Sequence, residues 1–276
     1  MPTLSVIIGA YNATKSSNFE KSIKSVLNQT FSDFELIICD DGSTDNTYEI
    51  LADFASTDNR IKLLKNLKNE GLAATLNKCL AVATGTYIAR HDCDDYSESE
   101  RFAKQIDYLH THPDVDILGT AVYLFDERDT YGVEFFPEKV TNRDFLFSSP
   151  YKHGSVMFRR EALVRVGGYR VAKETRRTED YDLFMRMQVS CKGENLTEPL
   201  YRFCEDSATK KRRKYRYRID EAKVRAKGFR ELELMPRAFL YVIKPLIVGL
   251  IPGRLLFYVR NKRRKRIKKQ KGDDIE

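Results

Sequence analysis

The 276-residue chain is predicted to be an α/β protein with a mainly parallel central sheet, flanking helices and a basic helical C-terminal extension. Three observations carry that expectation. Short apolar runs alternate with segments of helical period through the first half, the pattern of successive βα units. Two acidic clusters each follow an apolar run: Asp40-Asp41-Gly42-Ser43 after Leu36-Ile37-Ile38-Cys39, and Asp92-Cys93-Asp94-Asp95 after Tyr87-Ile88-Ala89. The charge is also divided, with 25 Lys and Arg against 31 Asp and Glu in residues 1–204, and 23 against 9 in residues 205–276.

Taken in order, strands are expected at residues 4–8, 35–39, 61–64, 87–89 and 117–124, where apolar residues run together. Leu72, Leu76, Cys79, Leu80 and Ala83 recur at helical spacing, and a glycine cap at Gly85 is expected to end that helix. Phe102, Ile106 and Leu109 mark another helix. Beyond residue 145 the alternation weakens. A strand is expected at 155–158, a short helix at 160–166 closed by Gly167-Gly168, and a helix beginning near Glu179. Residues 1–205 read as one domain and 206–276 as a separate basic, partly apolar region.

The chain is 42% hydrophobic, enough for a core without disulfide support. Five cysteines, Cys39, Cys79, Cys93, Cys191 and Cys204, form no CxxC pair and read as reduced thiols of a cytosolic protein, with no zinc site. The N-terminus reads as a first strand rather than a leader. Neither the dinucleotide-binding glycine fingerprint nor the P-loop pattern occurs.

Ligands of open α/β sheets bind beyond the carboxyl ends of the strands. Residues 9–12, 40–43 and 92–95 all fall there, so they are expected to form one pocket. Residues two apart in an extended segment face the same side, so Asp92 and Asp94 converge on one hard cation, Mg²⁺ or Mn²⁺, which would grip a phosphate-bearing ligand through oxygen.

Five motifs in order, Ser5-Val6-Ile7-Ile8-Gly9-Ala10-Tyr11-Asn12, Ser25-Val26-Leu27-Asn28-Gln29-Thr30, Asp40-Asp41-Gly42-Ser43-Thr44-Asp45, Asp92-Cys93-Asp94-Asp95 and Thr178-Glu179-Asp180-Tyr181-Asp182, resemble the family 2 glycosyltransferases of the GT-A fold. The resemblance covers roughly residues 3–205. It implies an inverting, metal-dependent transferase that takes a hexose or N-acetylhexosamine from a UDP-sugar.

Carried over by position, the resemblance places Ala10, Tyr11 and Asn12 against the nucleotide, with Tyr11 stacked on the base. Asp41 would accept the uracil N–H, its other reading being a cap for the helix near residues 44–55. Asp40 is expected only to cap its turn. Asp94 would be the direct metal ligand, with Asp92 on ribose or metal, Asp95 expendable and Cys93 facing away. Asp180 would be the catalytic base, its basicity lowered by its place at a helix start and restored by Glu179 or by desolvation. Glu179 is the second candidate for that role. His153 either touches acceptor or diphosphate or is structural, Arg159 and Arg160 are solvated or phosphate-facing, and Gly71 lets the chain turn near the nucleotide.

The apolar stretch 238–259 is interrupted by Lys244, Pro245, Pro252 and Arg254, whereas a spanning helix needs about 20 mostly apolar residues. With basic runs at 210–218 and 260–271 on either side it is expected to lie on an anionic membrane surface, its other reading being two helices packed on the domain. The resemblance then implies a peripheral enzyme of the cytoplasmic face of a bacterial membrane, acting on a lipid-diphosphate-linked saccharide of surface polysaccharide. Two other classes fit the pattern less well. A nucleic-acid binder would place basic charge at the ligand edge, which here is acidic, and a nucleotidyltransferase would need a glycine-basic phosphate loop near the N-terminus, which 9–12 is not.

Overall fold

Leu4–Ala10 and Phe34–Asp40 are apolar at consecutive rather than alternating positions, as strands covered on both faces must be, and they pair in parallel as β1 and β2. The computed structural model describes residues 1–126, 130–205 and 215–251. β3 (Ile61–Lys65) and β4 (Tyr87–Arg90) complete the expected N-terminal strands. β5 (Tyr96–Ser97), β6 (Ile117–Phe125), β7 (Thr130–Glu134), β8 (Met157–Arg159) and β9 (Gly193–Cys204) follow. Their order in one sheet is β3-β2-β1-β4-β8-β6-β9-β5, with β7 beside β6. The β3–β2–β1–β4 half is wholly parallel, and the other half mixes a parallel β6–β9 pair with antiparallel neighbours.

Helices cover both faces. On one side α1 (Phe19–Leu27), α2 (Thr47–Thr57) and α4 (Arg101–Thr111) bring Ile23, Leu51 and Phe102 onto Val6, Ile8 and Ile38. On the other, α3 (Leu72–Val82), α5 (Arg160–Arg165) and α6 (Glu179–Gln188) bring Leu76, Leu163 and Phe184 onto Ile7, Ile37 and Ile88. Alternate residues of each strand thus serve two separate cores. In α1 this burial selects Phe19, Ser22, Ile23 and Val26, a stripe at three- and four-residue spacing.

Gly167 and Gly168 end α5 with φ of 75° and 64°, as expected of a glycine stop. Gly85 does not cap α3. That helix is closed by Ala83 in extended conformation. The glycine is required by proximity instead, because a Cβ at residue 85 would stand 2.6 Å from the Ser5 amide nitrogen. The strand expected at 155–158 begins later, since residues 153–155 form a 3₁₀ turn.

The described part of the expected C-terminal region forms α7 (Tyr215–Glu231) and α8 (Phe239–Leu250). Both pack on the domain, with Val224, Phe229, Leu232, Ala238 and Val242 buried in the same cluster as Ile7 and Phe184. α8 also leaves Phe239, Leu240, Ile247 and Leu250 exposed. Among the described residues no helix is long and apolar enough to cross a membrane. The basic run 260–271 and residues 210–214 of the other lie outside the described residues.

Because Phe229 is fully buried in this shared core, Phe229→Ala is expected to cost about 3–5 kcal/mol and to lower the midpoint of one common urea transition. An unchanged midpoint would mean that α7 contributes nothing to the domain core.

Candidate active site

The carboxyl ends of β1, β2 and β4 lie side by side, and each carries an expected motif. At the end of β1 Ala10 is buried and the Tyr11 ring is 48% exposed. Asn12 is left-handed (φ 48°, ψ 48°), a conformation Asn tolerates better than most residues. Its side chain accepts the Thr44 amide at 2.9 Å and its own amide donates to Ser43 Oγ at 2.9 Å. This ties the β1 end to the turn after β2.

In that turn Asp40 is fully buried and accepts the Ser43 amide at 3.2 Å, the expected turn cap. Asp41 Oδ1 accepts from Asn66 Nδ2 and the Glu70 amide, both at 2.8 Å, and Oδ2 accepts the Gly71 amide at 2.9 Å. Asp41 does not cap the following helix, which Asp45 serves through the Thr47 amide. Three of its roughly four acceptor positions hold the segment 66–71, leaving about one for a ligand N–H. Gly71, at φ 92°, makes the turn that only glycine adopts freely.

β4 delivers the acidic turn. Arg90 is fully buried and its guanidinium reaches Asp92 Oδ1 at 2.5 Å. His91 is equally buried between Ser22 Oγ (2.9 Å) and Ser97 Oγ (3.1 Å). The Asp92 amide donates to the Tyr201 hydroxyl at 3.1 Å. Burial works against the Asp92 charge, but the Arg90 guanidinium beside it holds its carboxyl below the usual range. Asp94 follows in the same turn, half-buried. Cys93 is partly buried against the hydrophobic cluster that contains Ile8 and Leu118.

Asp95, expected to be expendable, is 1% exposed and accepts the Cys204 amide at 2.7 Å, so it fastens β9 to the turn. Burial, then the charges of Asp94 and Asp92, push its carboxyl well above the usual range. Crowded carboxylates of this kind favour a cation, and Asp92 and Asp94 fit a hard divalent ion. Among the described residues no group of three or more His, Cys, Asp or Glu converges as a closed metal cage, so phosphate oxygens and water would supply the other ligands.

Asp180 lies in the first turn of α6, half-buried. The amides of its own residue and of Tyr181 lower its carboxyl pKa as the helix-start position predicts, but burial is larger and Asp92 adds to it, so the net shift is upward. Glu179 is pushed up to about 7 by burial and then by Asp180. These cross-effects put Asp180 and Glu179 in the electrostatic neighbourhood of Asp92 and Arg90.

At their centre is Tyr169, fully buried, its hydroxyl 2.8 Å from His153 Nε2. Burial, followed by repulsion from Arg90, pushes the His153 imidazole down to about 3, so it is neutral at physiological pH. Asp182 holds Arg170 (2.7 Å) and Arg186 (3.0 Å), and Arg186 in turn binds the carbonyls of Val166 and Gly168. That clamp fixes the glycine turn that presents Tyr169.

Arg90, Tyr169 and Tyr201 were not singled out by motif reasoning. An arginine inside an apolar strand run was the one signal available for Arg90. Arg160 is exposed, as expected of a solvated charge, whereas the partly exposed Arg159 spends its guanidinium on the carbonyls of Leu109 (2.5 Å), His112 (3.1 Å) and Val115 (2.8 Å), closing the end of α4.

Residues 5–169 match the family described as Glycosyl transferase family 2. The chain belongs to this family. The family 2 assignment agrees with EpsE of Bacillus subtilis, 39% identical over 264 residues, covering 95% of this chain and 94% of EpsE. A second relative is the Escherichia coli UDP-Glc:alpha-D-GlcNAc-diphosphoundecaprenol beta-1,3-glucosyltransferase WfaP, 29% identical over 73% of this chain and 78% of its own. The crystal structure of Staphylococcus aureus TarS 1-349 in complex with UDP-GlcNAc aligns with a TM-score of 0.69 at 19% identity, covering 90% of this chain and 79% of TarS. The GT-A fold expected from the sequence is therefore the fold of this family 2 member.

With Asp180 and Glu179 both raised, a step that needs either carboxylate ionised is expected to weaken on the acid side with an apparent pKa above the ordinary carboxylate range, read as the acid limb of kcat/KM. Glu179→Gln removes a like charge and is expected to move that limb to lower pH. A limb already near pH 4 in the unaltered enzyme would contradict a buried base.

Proposed function

We propose that the protein is an inverting glycosyltransferase moving a hexose or N-acetylhexosamine from a UDP-sugar to a lipid-diphosphate-linked saccharide of bacterial surface polysaccharide. What supports this reading is that, in a family 2 chain, the half-buried Asp180 at the start of α6 lies near enough to the acidic turn after β4 for Asp92 to raise its carboxyl. The donor and acceptor classes draw on WfaP, whose name gives UDP-glucose and a diphosphoundecaprenol-linked sugar, and on TarS, whose structure holds UDP-GlcNAc.

In this reading Tyr11 offers an open ring face to the base, Asp41 keeps an acceptor position for its N–H, and Ala10 and Asn12 shape the cleft. Asp92 and Asp94 hold Mn²⁺ or Mg²⁺, with Arg90 keeping Asp92 ionised. When bound, the cation supplies Lewis-acid neutralisation of charge on the nucleoside diphosphate. Asp180 takes the proton of the acceptor hydroxyl as that oxygen bonds to the anomeric carbon from the far face. The bond from carbon to the phosphate oxygen breaks with its electron pair leaving on UDP, and a single displacement inverts the centre. His153, neutral and bonded to Tyr169, orients that hydroxyl beside the site.

The exposed apolar residues of α8 and the basic runs flanking it fit peripheral attachment to the inner face of the cell membrane, where a lipid-linked acceptor is presented.

Assayed with a panel of nucleotide sugars and a diphosphate-lipid acceptor, the enzyme is expected to use a UDP-sugar and to lose turnover in EDTA. Asp94→Asn is expected to lower kcat about 10²–10³-fold. Asp180→Asn should lower it by about 10²–10⁴-fold while UDP binding by calorimetry is retained. Full turnover in EDTA would falsify the metal assignment, and loss of UDP binding in Asp180→Asn would remove that residue as base.

A further inference from the structure

A cavity of about 380 Å³ separates the start of α6 from the two C-terminal helices, and Asp180 lies in its wall. Its other walls are the segment 147–149 and faces of α7 and α8. Four cations line it, Arg177, Arg218, Arg225 and Lys244, against two carboxylates, Asp180 and Glu221. Glu221 is already engaged by Arg218 at 3.2 Å and Arg225 at 3.1 Å. Arg225 is structural as well: it is 4% exposed, donates to the carbonyls of Leu146 and Phe147, and lies 5.0 Å from the Tyr181 ring. Lys244 and Arg177 are the charges that Glu221 does not neutralise.

Lys244 interrupts an otherwise apolar helix, and among the described residues its ammonium makes one hydrogen bond, to the Phe147 carbonyl at 3.2 Å. Burial, then the positive charge of Arg225, hold it below the ordinary lysine range. Arg177, directly before α6, has φ 66°, a strained conformation for a side chain of its size and of the kind that gathers at binding sites. The cavity's net charge is therefore positive beside the residue that must meet the acceptor hydroxyl. On the outer side of α8, Leu240, Ile247 and Leu250 form an exposed stripe at helical spacing next to the cavity-lining Lys244 and Val248.

We infer that this cavity is the acceptor site and that Lys244 and Arg177 bind the diphosphate of a lipid-linked sugar whose chain runs along the α8 stripe. The inference rests on the reading of Asp180 as the base and specifies what the acceptor must carry. An anion here completes the bonds of Lys244 and offsets the excess charge. The sugar attached to it is then held at the carboxylate that removes its proton. Charge-assisted bonds of this kind contribute more than neutral ones, and removing one leaves its partner poorly matched.

The test compares two acceptors bearing the same sugar, one as an alkyl diphosphate and one as a neutral alkyl glycoside, with the full-length enzyme. Lys244→Met, which keeps an apolar stem, and Arg177→Gln are each expected to raise KM for the diphosphate acceptor about tenfold more than for the neutral one. Geranyl diphosphate, which has no sugar, should bind the unaltered protein by calorimetry and bind the variants more weakly. Equal effects on both acceptors would overturn the inference while leaving the transferase intact. So would variants that lose affinity for phosphatidylglycerol vesicles but not for geranyl diphosphate, because the cations would then serve membrane headgroups. If the unaltered protein transferred sugar to neither acceptor yet still bound geranyl diphosphate through Lys244, the transferase reading would fail and the anion site would stand.

Discussion

The arrangement depends on one buried charge, the Arg90 guanidinium at the end of β4. It is withdrawn from water, which carries a penalty of several kcal/mol for an isolated ion, and breaking such a buried pair costs about 3–5 kcal/mol. Asp92 supplies the compensating charge at 2.5 Å. Arg90 Nε and Nη1 find no hydrogen-bond partner among the described residues, so the ion pair carries most of the compensation. Around it the protein sets groups that keep their neutral forms: His91 and His153 held unprotonated, Tyr169 and Tyr201 held protonated, each by burial first. The ion pair thereby favours the charged form of Asp92, while burial and then the charges of Asp94 and Asp92 push the Asp95 carboxyl upward.

A parallel sheet explains why these groups meet at one edge. β1, β2 and β4 run the same way, so the three segments that leave the sheet at their carboxyl ends are adjacent however far apart they lie in sequence. Asp41 then ties the loop before α3 to this edge, and Asp95 ties β9 to it. The second half of the sheet serves a different end. Its mixed strands seat α6 and its clamp of Asp182 with Arg170 and Arg186, which brings a second carboxylate pair across from the first.

The N-terminal half was legible from sequence because continuous apolar runs and glycine stops are local signals. The acidic turns were legible because like charges following a buried strand have few structural explanations. Gly85 was misjudged since its constraint is an approach to Ser5, eighty residues away in the chain and invisible to periodicity. Long-range packing also hid β9, whose register against β6 shifts at two places and whose apolar content is interrupted by Asn195, Glu198 and Pro199. At Asp180 the helix start acts as expected and desolvation offsets it, but the desolvation comes from burial by residues far along the chain, which the sequence does not show. The role of Arg159 in closing α4 is hidden for the same reason, because its three carbonyl partners lie more than forty positions upstream.

The segment that matches the family ends at residue 169, before α6 and both C-terminal helices. The edge formed by β1, β2 and β4 lies inside that segment, whereas the cavity beside Asp180 is closed by α6, α7 and α8, which lie beyond it. Drift in α7 and α8 can therefore reshape one mouth of the enzyme without disturbing the opposite one. A fold divided in this way carries its two openings on separately encoded stretches of chain.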